Sequence, residues 1–214
     1  MTAAVDLYEA GLAGDGEPLM LQYDDGRLRT LPVNVWTAEV APGDSGMLDR
    51  CAGPTLDVGC GPGRLTVALG QRGVPALGVD IAAGAVRLAR SRGALVLGRS
   101  VFAPLPGHGR WSTALLADGN VGIGGDPVGL LRRLRDLLTQ DGRVVVELDP
   151  PGSGSAVVRV RVAHGLRRSD WFPWGHLAAN HASVVAEAAS LRVAEQWQDT
   201  GRWFAVLAPE GLPR

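Results

Sequence analysis

Leu56-Asp57-Val58-Gly59-Cys60-Gly61-Pro62-Gly63-Arg64 is an apolar run that breaks into alternating glycines. Glycines between a strand and a helix let the backbone pass close to a ligand with no Cβ in the way. A helix-like stretch follows from Arg64 to Arg72 and closes on Gly73, a good C-terminal stop. The next strand, Ala76 to Asp80, ends in a carboxylate. An acid about 20 residues beyond such a loop can accept hydrogen bonds from both hydroxyls of a ribose. The pair therefore predicts a nucleoside-containing cofactor beyond the carboxyl ends of parallel strands. The dinucleotide fingerprint GxGxxG is not met, because its last glycine, counted from Gly59, is replaced by Arg64.

Outward from this loop the pattern stays regular. Ala82 to Arg92 reads as a helix with Ala85, Leu88 and Ala89 on one face and Gly93 as its stop. Ala94 to Leu97 and Thr113 to Ala117 read as strands. Asp126-Pro127 opens a helix whose stripe is Val128, Leu131, Leu134 and Leu138. Asp141-Gly142 is a turn, and Val144 to Leu148 is the fifth strand. Val157 to Val162 alternates valine with arginine like a half-exposed strand, and Asn180 to Ala189 is helical. Arg192 to Trp197 and Trp203 to Leu207 form a hairpin around Asp199-Thr200-Gly201. The fold class is α/β: a doubly wound, mostly parallel sheet of about seven strands ending in an antiparallel hairpin. Residues 1–50 have no clear period and read as an irregular lid or substrate segment. Residues 51–214 make up the cofactor-binding body of what is a single domain overall, with 150–180 as a substrate-facing insertion.

The Asp-x-Gly-x-Gly-x-Gly loop, its GCGPG wording and Asp80 resemble the glycine motif of class I S-adenosylmethionine-dependent methyltransferases. The resemblance runs from about Thr55 to Leu148. It implies a Rossmann-like methyltransferase fold, whose antiparallel last strand the hairpin suits, and S-adenosyl-L-methionine as cofactor. It further implies that Gly59, Cys60, Gly61 and Gly63 line the methionine and ribose portion and that Asp57 orients the loop. Asp80 would hold the ribose and Ile81 would pack on the adenine. Ser100-Val101-Phe102 falls where the family meets the adenine edge, without the acidic residue common there. Ala117-Asp118 falls where it approaches the methionine amino group. From Asp118 to Pro151 the wording also resembles small actinobacterial methyltransferases.

The acceptor side is read from weaker signals. The loop Asp118 to Asp126, with Asn120 in it, is glycine-rich and either admits a substrate or is a flexible connection. Tyr8 and Trp36 near the N-terminus, and Trp171-Phe172-Pro173-Trp174 in the insertion, would make an apolar, water-excluding pocket if both segments fold over the sheet. His164 and His176 are candidate general bases; His108 reads as a surface turn and His181 as a helix start. Asp149-Pro150-Pro151-Gly152 follows the wrong strand for the Asp-Pro-Pro-aromatic motif of amino-group methyltransferases and lacks its aromatic, so it reads as a rigid strand exit.

Composition narrows the classes. The 214 residues carry a net charge of −1 and no basic stripe, so a small-molecule acceptor is expected rather than nucleic acid. All 21 positive residues are arginine, which excludes lysine Schiff-base chemistry and a P-loop. The Ala-, Gly-, Arg- and Val-rich composition suggests a bacterial source. Cys51 and Cys60 lack zinc spacing, and no metal is implied. No apolar run of about 18 residues suggests a membrane span, and the first residues do not resemble a signal peptide, so a cytoplasmic protein is expected. The expected reaction is methyl transfer to an oxygen, nitrogen or carbon nucleophile of a small molecule. The alternatives are a non-catalytic S-adenosylmethionine-binding protein, a nicotinamide-dependent oxidoreductase, and a methyltransferase of protein or RNA.

Overall fold

The computed structural model describes residues 3–14 and 16–210. The outermost ends of the expected 1–50 and 51–214 segments lie outside the described residues.

The described residues among the first fifty form regular elements, where an irregular segment was expected. They form α1 (Ala4–Ala13), the hairpin strands β1 (Leu19–Tyr23) and β2 (Leu28–Thr30), and two short helices, α2 (Val33–Thr37) and α3 (Asp44–Leu48). The body follows: β3 (Thr55–Val58), α4 (Arg64–Gln71), β4 (Ala76–Asp80), α5 (Ala83–Ser91), β5 (Val96–Gly98), β6 (Trp111–Leu116), α6 (Pro127–Leu137) and β7 (Leu138–Leu148). Then come β8 (Ala156–His164), β9 (Arg167–Arg168), β10 (Phe172–His176), α7 (Ala182–Ala188), β11 (Leu191–Asp199) and β12 (Arg202–Pro209).

The central sheet has seven strands in the order β11-β12-β7-β6-β3-β4-β5. Pairs from β7 to β5 are parallel, and β12 joins β7 antiparallel. Both faces are covered, so the strands are nearly continuous apolar runs. Val144 and Val146 face α6 and α7 with Leu56, Ala114 and Leu116. Val145 and Leu115 face α3 and α4 through Met47, Leu48, Leu65 and Leu69. Asp126 caps α6 by accepting from the Gly129 N–H at 2.9 Å, with Pro127 at the first helical position. The Asp141-Gly142 turn is absorbed into β7 as a bulge: Leu138 pairs with Trp111 and Arg143 with Thr113, leaving 139–142 unpaired.

A second, antiparallel sheet was not expected. Its order is β10-β8-β1-β2, with β9 added to β8. It joins the N-terminal segment to the one between β7 and α7. Leu19, Leu21 and Tyr23 alternate inward and meet Val160 and Val162 from the valine–arginine strand. Helix α1 lies on this face. Gly11 sits so close that an added Cβ would be 3.0 Å from Leu19 Cδ1.

The glycine-rich loop after β6 explains how the two sheets meet. A Cβ on Gly122 would overlap Trp174 and the Gly175 carbonyl, and one on Gly125 would lie 2.5 Å from Pro173 Cβ. Those glycines let β10 lie directly against the end of β6.

Candidate functional site

Strand β3 is flanked by β4 on one side and β6 on the other. The chain winds outward in both directions from it, and such a switch point leaves a crevice at the carboxyl ends of the strands. The Gly59–Gly63 turn stands there. Gly59 and Gly61 have φ of 70° and 51°, which side chains rarely adopt. A Cβ on Gly59 would lie 2.7 Å from Asn120 Nδ2, and one on Gly61 would be 3.0 Å from the Tyr8 hydroxyl. The Asn120 amide donates to the Val58 and Gly59 carbonyls at 3.0 and 2.9 Å, so Asn120 clamps the loop. Gly63 is different: its missing Cβ makes room for Ala89 Cβ, 2.9 Å away, and the residue packs α4 against α5 rather than lining the crevice.

Asp80 accepts from Gly61 N–H at 2.9 Å and Ala82 N–H at 2.8 Å, one bond on each carboxylate oxygen. Each oxygen keeps a lone pair, which suits the two neighbouring hydroxyls of a ribose. Asp57 is fully enclosed and accepts from Thr66 Oγ1 at 2.6 Å. Burial, more than the nearby Asp118 and Asp80 charges, pushes its carboxyl up to about 7. Burial also raises Asp80 and Asp118, the latter despite Arg64 beside it. Burial, then the charge of Asp80, raises the Tyr8 phenol. Three carboxyls thus converge where negative charge is disfavoured, a setting that a bound cation relieves.

The crevice opens into a cavity of about 620 Å³. Its floor holds Asp57, Gly59, Cys60, Gly61, Asp80, Ile81, Ser100, Val101, Phe102, Ala117, Asp118 and Asn120. The lining also includes Trp36, Trp171 and Trp174, with Tyr8, whose hydroxyl stands against Gly61 of the loop. Every one of these was expected from sequence, and Gly63 is the cofactor residue that stands apart. Phe172 and Pro173 of the expected aromatic cluster also line it, whereas Leu21, Arg29, Leu31, Val162 and Asp170, from the second sheet and its loops, were not singled out from sequence. Of these only Val162 had a local signal, the alternation of Val157 to Val162.

Arg64 was also unexpected as a site residue. It lines the cavity and is itself buried. Its guanidinium bonds Asp44 and reaches Asp118 Oδ2 at 2.5 Å. Asp118, in the left-handed region at φ 54°, donates its N–H to Glu147 Oε2 at 2.6 Å. Arg202 from the final hairpin grips both Glu147 oxygens at 2.8 Å and Asp44 at 2.8 Å. The strained end of β6 is therefore held by a buried lattice of charges.

The two histidines expected to face the acceptor are placed elsewhere. His164 is buried in β8 opposite Leu19, and His176 stacks on Tyr23 while its Nδ1 meets Asp149 Oδ2 at 2.9 Å. Neither lines the cavity. His176 lies beyond Trp174, where β10 is pinned to the end of β7.

Residues 56–103 match a family model described as a methyltransferase domain. No curated protein sequence matches the chain. A solved S-adenosylmethionine-dependent methyltransferase from Bacteroides fragilis, in complex with S-adenosyl-L-homocysteine, is 20% identical with a TM-score of 0.80. The match covers 97% of this chain and 96% of that one. The 1,6-didemethyltoxoflavin-N1-methyltransferase of Burkholderia thailandensis is 19% identical with a TM-score of 0.62, covering 97% of this chain and 90% of that one. Streptomyces venezuelae DesVI is 20% identical with a TM-score of 0.59, covering 98% and 99%. The chain has the fold of these proteins.

Proposed function

We propose that this chain is an S-adenosylmethionine-dependent methyltransferase whose acceptor is a small molecule carrying an oxygen, nitrogen or carbon nucleophile. One observation carries the reading: a single cavity runs from the glycine loop and Asp80, past Asp118 and Asn120, to an aromatic wall. A nucleoside fits the first part and an apolar acceptor the second. The matched methyltransferase segment and the S-adenosylhomocysteine complex of the Bacteroides fragilis protein support the choice of cofactor.

When bound, S-adenosylmethionine supplies a methyl group already activated by its sulfonium charge. The chain's own tasks are alignment and exclusion of water. Asp80 accepts the ribose hydroxyls, and Gly59 and Gly61 bring backbone close to the methionine end. Asp57, Asp80 and Asp118 favour a cation between them. Ile81, exposed and lining the cavity, would pack on the adenine, with Ser100, Val101 and Phe102 at its edge. In this reading segments 1–50 and 150–180 jointly form the acceptor wall, and 51–214 otherwise forms the cofactor body. Catalysis rests on alignment, since neither His164 nor His176 reaches the cavity. The net charge of −1 supports a small molecule over nucleic acid. Among the described residues no helix is long and apolar enough to cross a membrane.

Titration calorimetry tests the reading. S-adenosylhomocysteine binds and raises the melting temperature by mass action, while NAD does neither. Asp80→Ala weakens that binding by about 1.5–3 kcal/mol, the usual range for hydrogen bonds to a charged group, with the fold intact. Binding of NAD without S-adenosylhomocysteine ends the proposal.

A further inference from the structure

We propose that Tyr8 reads the charge of the cofactor: its hydroxyl oxygen faces the sulfonium and the methyl group on it, and so tells the cationic cofactor from its neutral product. This rests on the methyltransferase reading and deepens it at the cofactor side of the same site. The sequence groups Tyr8 with the aromatic acceptor residues, whereas its hydroxyl stands at the glycine loop.

Helix α1 holds Tyr8 firmly. Leu7, before it, is fully buried with Leu19 and Val162. Glu9, after it, accepts from the Gly84 N–H at 2.8 Å, and an added Cβ on Gly11 would crowd Leu19. The Tyr8 ring meets the Trp36 ring edge to face, with centroids 5.9 Å apart. Its hydroxyl reaches the glycine turn, 3.0 Å from where a Cβ on Gly61 would stand. Gly61 is itself buried, so the hydroxyl lies inside the crevice and not on its rim. The oxygen makes no hydrogen bond among the described residues, yet it is not sealed off as Trp36 Nε1 is, so it is open to the cavity. A tyrosine hydroxyl enclosed in this way usually meets a partner.

The neighbours decide which part of the cofactor that partner is. Burial first, then the acidic groups of Asp80, Cys60 and Asp118, raise the Tyr8 phenol. The hydroxyl therefore lies in the field of Asp80, which serves the ribose, and of Asp118, which stands at the methionine end. The sulfonium is the group that joins those two parts. Among these acids an anionic group such as the methionine carboxylate is disfavoured, and a cation is favoured. A phenol held above its ordinary range stays protonated, so Tyr8 offers lone pairs to the cation and takes no proton from the acceptor. Methyl transfer joins the methyl carbon to the acceptor and breaks its bond to sulfur, which keeps the electron pair, while the acceptor's proton passes to water. The product is a neutral thioether, and the attraction to Tyr8 ends with the charge.

The experiment is calorimetric titration of the wild type and Tyr8→Phe with S-adenosylmethionine, with S-adenosylhomocysteine, and with sinefungin, which carries an ammonium-bearing carbon in place of the methylated sulfur. Phenylalanine keeps the ring and its contact with Trp36. The variant is expected to bind sinefungin about tenfold more weakly, as the loss of a hydrogen bond to a charged group implies. It binds S-adenosylmethionine about fivefold more weakly, because C–H groups are weaker donors. Its affinity for S-adenosylhomocysteine stays within about twofold, since a thioether has no hydrogen to donate. An equal loss for all three ligands would mean that the hydroxyl holds a part they share, such as the methionine carboxylate, and overturns the proposal. So does unchanged affinity for all three, or a variant that fails to fold, which would make the hydroxyl a structural group. Failure of the wild type to bind any of the three is a different outcome, and it strikes the cofactor reading beneath this one.

Discussion

Asp57 shows how one residue carries two demands. Its strand position makes it part of the core, and its carboxyl lines the cavity and accepts from Thr66 of α4 at 2.6 Å. Burial holds its folded-state carboxyl at about 7 against 3.8 for the free side chain. The folded chain therefore binds a proton that the unfolded chain has lost between those values. The sign follows: the stability owed to this proton is complete below about pH 4 and is lost as pH rises to about 7. Urea titrations of the wild type and Asp57→Asn should show the difference in unfolding free energy moving against the wild type across that window and flattening above it. A constant difference would mean that Asp57 ionises normally in the fold. Gly63 carries a different lesson at the same scale. Its spacing marks it as part of the cofactor motif, yet its tightest contact is Ala89. A glycine's position in a motif announces that room is needed, and only the neighbours reveal for what.

At the scale of elements, α1 covers the cavity and is latched to the body. Ala4, Val5 and Tyr8 line the cavity from above, and Glu9 Oε1 accepts from the Gly84 N–H at 2.8 Å, in the first turn of α5. An acid at a helix N-terminus satisfies an orphan donor and complements the helix dipole. Removing it with Glu9→Ala should cost about 1 kcal/mol locally, typical for a lost helix cap. Amides of Ala4–Ala13 should then exchange faster, and S-adenosylhomocysteine should dissociate about fivefold faster, which is 1 kcal/mol expressed as a rate. Unchanged exchange would show that Leu7 and Gly11 packing holds the helix alone. The glycine-rich stretch after β6 also belongs to this scale. Its composition suits either a flexible connection or a substrate entry. It is the seat on which β10 rests, since Gly122 and Gly125 admit Trp174 and Pro173, and it also lines the cavity through Asn120, Ile123 and Gly124.

Over the whole molecule, the charge lattice of Asp44, Arg64, Asp118, Glu147 and Arg202 ties α3, α4, β6, β7 and the final hairpin together. The Arg64 side chain is 3% exposed, so removing it leaves Asp118 with Arg202 only at 3.7 Å. Arg64→Met should destabilise by about 3–5 kcal/mol, the usual result of breaking a buried pair from one side. Arg64→Lys should recover only part, because an ammonium cannot present the planar fork that meets two carboxylates. Denaturant melts check both. A loss under about 1 kcal/mol for Arg64→Met, the scale of an exposed pair, would mean that Arg202 alone balances the acids. The sequence by itself determined the alternation of strands and helices, the glycine turn, the placement of Asp80 and the closing hairpin. Each is written in a run of neighbouring residues, because a strand's period, a helix stripe and a turn depend on local backbone geometry. Tertiary structure alone decided that β1 pairs with β8 and so builds the aromatic wall, that His176 turns to Asp149 instead of the cavity, and that Arg64 joins Asp118. Leu21 meets Val162 across most of the chain, and nothing in either strand specifies its partner. Such pairings follow from which apolar faces remain to be buried once every local element has formed.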